Sequence, residues 1–267
     1  MPHDVAPTEG TRPDLTMFDP EAGMRRMMLL CTAVALSAAA CADDPTTTDD
    51  ALFSFGVQGN LYEVTVENLT AGQPFTPPLI ATHRPSTRMF SVGQAASLGV
   101  QEIAENGNLA PLMAALQADR HVADFAALFG PTVPPVLGGE SVTGQLRANL
   151  GATRLSWVSM LVCTNDGFTG SNSVRLPLHL GESIMLYTNG YDAGTEINTE
   201  SFDDLVPPCG PLTGVDSQGR GTGESNPALA EGGVIHHHPG IHGNADLIPA
   251  IHGWIDPVAR VTITRVE

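Results

Sequence analysis

Two acidic loops contain the side chains best suited to bind a metal ion. They read CTNDGFTG at residues 163–170 and YDAGTEINTE at residues 191–200, and each follows a segment predicted to be a strand. Asp166 and Asp192 supply carboxylates and Asn165 supplies an amide, and with backbone carbonyls these are the oxygen ligands that calcium prefers. The same residue types also form turns without any ion. The spacing therefore leaves two interpretations open, a calcium site and plain turn formation.

A second group of candidate ligands is the histidine-rich stretch VIHHHPGIHGNADL at residues 234–247. In a strand His236 and His238 point to one face, and His242 can return from the following turn. A three-nitrogen site for zinc or copper is therefore geometrically possible. The alternative is structural, with the imidazoles bonding to loop backbone and shaping the Pro-Gly turn. The sequence favours the structural role, because no acidic residue that could act as a fourth ligand or general base lies at a spacing typical of metal sites.

Several classes of function are disfavoured by composition and by missing motifs. The formal net charge is -17, there is no lysine, and the twelve arginines are scattered, with only Arg25 and Arg26 adjacent, so no basic surface is available for nucleic acid. No GxSxG elbow, HExxH helix, phosphate loop or dinucleotide fingerprint is present. We therefore expect neither a nucleic-acid partner nor an enzyme.

The first part of the chain has the pattern of an export signal. Residues 24–41, MRRMMLLCTAVALSAAAC, combine a basic start, a short apolar run and small residues before Cys41. The ending resembles a bacterial lipobox, which predicts lipidation of Cys41 and membrane attachment through that lipid alone; a plain secretory signal is the alternative. Residues 1–23 are expected to be a non-native or untranslated extension, and residues 42–54 a flexible acidic tether. In an oxidising compartment, Cys163 and Cys209 either form a disulfide or remain two buried thiols.

The remaining sequence predicts strands that must position these loops. NLYEVTVENLT, starting at residue 60, and VARVTITRV, ending at residue 266, both alternate apolar and polar residues with the period of a half-buried strand. Segments 154–162 and 183–188 are apolar on both faces, as in buried central strands. Between residues 96 and 129 the spacing becomes helical, including Val122, Phe125, Ala126 and Phe129. We therefore predict one all-β antiparallel sandwich with a short helical insertion.

Several blocks, in one order, resemble the spondin domain in its bacterial form. They are YEVTVENLT, GQPFTPPLIATHR, GNLAPLMAAL, TNDGFTG, YDAGTEIN and PVARVTITRV, and the resemblance covers about residues 55–267. It implies a β-sandwich similar to calcium-dependent lipid-binding modules, with calcium held by Asp166 and Asp192. A strand glutamate that contributes in animal members has no counterpart in SVTGQLRANL, residues 141–150, which offers Gln145 and Arg147 instead. The residues that could supply the missing oxygen are Asn165, Glu196 and Glu140.

The resemblance also implies a function. Animal members act in cell adhesion and pattern recognition, so we expect an exported, calcium-binding, non-catalytic recognition module. It would be lipid-anchored at the cell envelope or secreted, with a cell-surface protein or glycan as partner. The competing hypothesis is a zinc or copper enzyme built on the His236–His242 cluster, and a weaker one is a structural envelope protein without a specific ligand.

Overall fold

The computed structural model describes residues 59–130, 136–215 and 221–267. The predicted signal peptide, the predicted tether and Cys41 fall outside these residues. Two antiparallel sheets make up the fold. The first has the order β4(Ser141–Ala148), β1(Asn60–Asn68), β10(Ala259–Arg265) and β7(Ser183–Thr188). The second has the order β3(Val122–Ala127), β2(Leu79–His83), β5(Arg154–Met160), β6(Gly167–Arg175), β8(Gly190–Asp192) and β9(His236–His237).

The first and last predicted strands pair side by side in the four-stranded sheet. In β1 and β10 the residues of one face are buried and those of the other face are partly exposed. Val64 lies opposite Ile263 and Val66 opposite Val261 in the antiparallel register. These side chains pack against Ile80, Leu155 and Trp157 of the six-stranded sheet and form the core between the two sheets. The all-β sandwich expected from the sequence is thus the observed architecture.

The outer face of the six-stranded sheet is covered by helices. Helix α1(Leu98–Asn106) begins at Ser97, whose hydroxyl accepts the Val100 N–H, and helix α2(Ala110–Ala118) follows directly. Residues of both helices pack on Val158 and Met160 of β5 in a second core. Because β5 is covered on both faces, six of its seven residues are buried, as predicted for a central strand. Two short helices, α3(Cys209–Thr213) and α4(Pro249–His252), and a 3-10 turn at Pro227–Leu229 lie in the later part of the chain.

Two sequence expectations about these elements were wrong. The helical insertion ends at Ala118, and Val122–Ala127 forms strand β3, paired antiparallel with β2. A run of six residues is too short to separate helix from strand by spacing, and pairing with the free edge of β2 satisfies its backbone. Strand β7 is an edge strand and not a buried central one: Met185 and Tyr187 are 58% and 56% exposed.

Candidate functional site

Asp166 and Asp192 meet because a three-residue strand joins the six-stranded sheet beside them. The chain leaves β7 in one sheet, and two residues later β8 pairs with β6 in the other, with Gly167 opposite Asp192. The Ala193 N–H also donates to the Asp166 carbonyl (3.1 Å). The sequence argument placed the two loops at the ends of neighbouring strands, but β5 and β7 belong to different sheets. The two aspartates converge through β6 and β8 instead.

The two carboxylate oxygens of Asp166 have unequal surroundings. Oδ2 accepts the Thr195 N–H (2.7 Å), the Thr195 hydroxyl (3.1 Å) and the Glu196 N–H (3.0 Å). Oδ1 is buried and has no hydrogen-bond partner. Burial, and then the charge of Asp192, raises the pKa of Asp166 to about 6. A fully buried carboxylate oxygen without a donor is costly unless a proton or a cation neutralises it.

Asp192 is held with similar rigidity. Its Oδ1 accepts the Gly194 N–H (2.8 Å) and its Oδ2 accepts the Asn198 amide (2.7 Å). The side chain is 1% exposed, and the imidazole Nδ1 of His236 lies 3.7 Å from Oδ1. Each oxygen has a further lone pair available. The pair therefore offers a fixed, negatively charged group of oxygens, which is the ligand type of hard cations such as calcium.

The histidines lie near this pair but do not assemble into one site. His236 bonds through Nδ1 to the Val234 carbonyl (2.9 Å), and the His242 ring lies 3.7 Å from a different carboxylate, that of Glu200. His237 pairs with Asp256. Within the described ranges, no three of these imidazoles bring a ring nitrogen each within 4.8 Å of the others.

His238 is unsuited to hold a metal in its observed position. Its Nδ1 accepts the Gly240 N–H (2.9 Å), so in the neutral ring the proton is on Nε2, which has no partner. Burial lowers the pKa of His238 to about 4, which keeps the ring neutral at physiological pH. Its ring packs on Trp254, with centroids 5.0 Å apart. These contacts agree with a structural role for this histidine.

The three candidates for the missing oxygen ligand have other contacts. The Asn165 amide donates to the Thr199 hydroxyl (3.2 Å) and accepts the Glu200 N–H (3.3 Å). The exposed Glu140 accepts the Leu137 N–H (3.0 Å). Glu196 accepts the Asn226 N–H (2.8 Å) and faces a neighbouring cavity. Burial raises the pKa of Glu196 to about 7.

The strand that lacks the glutamate, β4, lies in the four-stranded sheet. There Gln145 pairs with Glu63 of β1, so neither it nor Arg147 adjoins the six-stranded sheet's β6–β8 pair through strand pairing.

Cys163, three residues before Asp166, is disulfide-bonded to Cys209. Gln73 braces the same turn, since its side chain accepts the Cys163 N–H and donates to the Cys163 carbonyl (both 3.0 Å). In the part of the chain that the structure describes, one set of three possible ligand residues has its atoms within 4.8 Å, namely Cys163, Cys209 and His252. Its sulfurs are bonded to each other, so this set offers no thiolates.

The sequence analysis missed two residues that shape the site. Gln73 lies 90 residues before Cys163 in a polar, proline-containing segment with no periodic pattern. Glu200 is 2% exposed and accepts the backbone N–H groups of His242 (2.7 Å) and Asn244 (2.6 Å), which fixes the histidine-rich loop. Both act through contacts that are distant in sequence. One signal was available for Glu200, an acid closing the YDAGTEINTE block.

A family model described as Spondin_N matches residues 69–205, just over half of the chain. The match includes Asp166, Asp192 and the turn that contains Asn165, and it ends before the histidine-rich stretch. None of the curated proteins matches the chain. No helix among the described residues is both long enough and apolar enough to cross a membrane.

Proposed function

The chain belongs to the Spondin_N family, and from that premise we propose that it is an exported, non-catalytic recognition or adhesion module that holds calcium through Asp166 and Asp192. Family membership supports an extracellular recognition or adhesion-type module, since spondin domains are typically extracellular and generally not enzymes. The finer parts of the proposal are calcium, attachment to a bacterial envelope through lipid on Cys41, and a cell-surface protein or glycan as partner.

The observation that carries the calcium proposal is the buried, unpartnered Oδ1 of Asp166 beside Asp192. A divalent cation there would neutralise two buried carboxylates and complete the coordination of an oxygen that has no donor. Calcium takes six to eight oxygen ligands in flexible geometry, so backbone carbonyls and waters can fill the positions that the absent strand glutamate leaves. With fewer charged ligands, we expect modest affinity.

The alternative, a zinc or copper enzyme using His236, His238 and His242, has weaker support. The three rings contact different groups, and the proton of His238 occupies the nitrogen that a metal would need. Another pair that resembles catalytic machinery is His83 and Ser156, joined at 2.7 Å, but both are fully buried. A substrate cannot reach them.

Calcium titration of the purified protein after chelation tests the proposal. We expect a calorimetric signal and a rise in the melting temperature, because a ligand at about 100 times its Kd stabilises a folded protein by about 2.7 kcal/mol. Asp166→Asn and Asp192→Asn should each abolish or strongly weaken this effect. Glu182→Gln is the matched control, since its exposed carboxylate accepts the local backbone N–H groups of Leu178 and His179.

Two results would contradict the proposal. One is the absence of any heat or melting shift up to millimolar calcium. The other is calcium binding that is identical in wild type and in the two aspartate variants. Stoichiometric zinc or copper in the purified protein, lost on replacing His236 and His238, would instead support the enzyme.

A further inference from the structure

A separate acidic cavity of about 240 Å³ lies between the end of helix α1 and two later segments, residues 203–206 and 222–227. Five carboxylate residues from different parts of the chain line it, namely Glu105, Glu196, Asp203, Asp204 and Glu224. Asp166 and Asp192 are not among the lining residues. The cavity is therefore distinct from the aspartate pair, although the backbone of Glu196 contacts Asp166.

Glu105 carries the least satisfied group in this cavity. The side chain comes from the last turn of α1 and is only 5% exposed. Its Oε1 accepts the Gln101 amide (2.8 Å), whereas its Oε2 is buried and has no hydrogen-bond partner. An ionised carboxylate in such a position loses its hydration without compensation, which destabilises its charged form. Some positive group must neutralise it.

Two of the other acids in the cavity strengthen the need for a positive group. Glu196 is 4% exposed and uses Oε1 to accept the Asn226 N–H (2.8 Å). Asp204 accepts the Thr199 hydroxyl (2.9 Å). None of the described lining residues is basic. Like charges brought together in one cavity repel one another, so a cation placed between them would be stabilised.

We propose that this cavity binds a second divalent cation of the calcium class through Glu105 and Glu196, with Asp204 as an additional oxygen donor. The lining residues Thr222, Ser225 and Asn226 provide further oxygens. A water molecule occupies about 30 Å³, so the cavity has room for an ion and several bound waters. Such mixed protein and water coordination is usual for calcium.

The ion would reinforce a junction where parts of the chain already meet, through hydrogen bonds from Asn106 to Ser225 and from Asn226 to Glu196. Glu105 belongs to the helical layer, Glu196 follows the DAGT turn, and residues 222–227 lie in the long irregular stretch before β9. Bridging them would fix that irregular stretch against the helices. The inference does not depend on calcium at the aspartate pair, because the two sets of carboxylates are different.

Counting bound calcium by equilibrium dialysis on the folded protein tests the inference. The variants are Glu105→Gln with Glu196→Gln, which alters the cavity, and Asp166→Asn with Asp192→Asn, which alters the aspartate pair. Glu102→Gln is the matched control, because it lies one turn earlier in α1 and its carboxylate contacts only Asn106 and Asn108. We expect the cavity variant to bind one ion fewer than wild type, and the control to bind the same number.

The outcomes separate the two proposals. If the cavity variant binds as many ions as wild type, the inference is overturned, and a shared proton or a basic group neutralises the carboxylates. If only the aspartate variant binds as many ions as wild type, the proposed function fails and the cavity site stands. If circular dichroism shows that the double cavity variant is misfolded, the single variant Glu105→Gln replaces it. We expect Glu105→Gln to lower the affinity for one of the bound calcium ions by at least about tenfold. Unchanged affinity there also overturns the inference.

Discussion

The two carboxylate oxygens of Asp166 differ in how many hydrogen bonds they accept. Three donors converge on Oδ2 while Oδ1, equally buried, has none. A residue selected only to form a turn needs the donors on Oδ2 and gains nothing from burying the second oxygen. The arrangement costs folding free energy, and such costs are concentrated at functional sites.

This cost gives a pH-dependent prediction for Asp166→Asn. The folded protein binds the Asp166 proton with a pKa of about 6, above the ordinary value of 3.8. The metal-free wild type therefore loses stability as the pH rises through this range, by about 3 kcal/mol at neutral pH, since each pKa unit corresponds to about 1.36 kcal/mol. Asparagine keeps an acceptor and carries no charge. In chelator, the variant should be more stable than wild type at pH 7, with the gap closing toward pH 4.

Urea unfolding at pH 4, 5, 6 and 7 measures this difference. The comparison between variant and wild type cancels the other titrating groups, including His238, whose lowered pKa acts in the opposite direction. Saturating calcium should reverse the order at pH 7, because only wild type gains binding free energy. If the difference in unfolding free energy between variant and wild type does not vary with pH, the pKa of Asp166 is not raised.

At the scale of elements, the sequence predicts long periodic strands well and short ones poorly. β1 and β10 were recognisable because seven or more residues alternate, and β5 because a strand covered on both faces must be apolar. β8 has three residues and β9 two, too few to show any period. The aspartate pair was nevertheless predicted, because each loop has a carboxylate after a predicted strand and the resemblance to the spondin domain implies these two positions. How the loops meet was not predictable, since pairing of β8 with β6 depends on a crossing between sheets.

The turn after β8 depends on a glycine with two separate requirements. Gly194 has φ +69°, and a Cβ there would lie 2.6 Å from the backbone N and O of Val234. We expect Gly194→Ala to lower both stability and calcium affinity, because its N–H also bonds to Asp192 and the segment before β9 must move away. The backbone strain costs about 1–2 kcal/mol, and the displacement adds about 1–3 kcal/mol.

Gly181→Ala is the matched control for this prediction. Gly181 has φ +78°, yet a Cβ there meets nothing within 4 Å. It should show the backbone cost alone, with calcium affinity unchanged. Thermal melting gives the first quantity and calcium titration the second. Equal losses in the two variants would show that the close approach to Val234 is unimportant.

At the scale of the whole domain, one covalent bond links the sheets to the least regular part of the chain. Cys163 lies in the turn between β5 and β6, and Cys209 begins α3, 46 residues later; both are fully buried. Between β8 and β10 the described chain has only short helices and a two-residue strand. Few backbone hydrogen bonds between strands stabilise this stretch. Its order therefore depends on the disulfide and on hydrogen bonds to buried carboxylates. Disulfides persist in oxidising compartments, which suits a family that is typically extracellular.

Removing this bond should destabilise the domain and loosen the aspartate pair together. For a closed loop of 46 residues, the chain-entropy model gives about 4 kcal/mol. We therefore expect Cys163→Ala with Cys209→Ala to lower the unfolding free energy by roughly that amount in urea. Calcium affinity should also fall, since Cys163 precedes Asp166 in the same turn. Reductant should destabilise wild type similarly and leave the double variant unaffected. A variant as stable as oxidised wild type would mean that packing alone orders the stretch around α3.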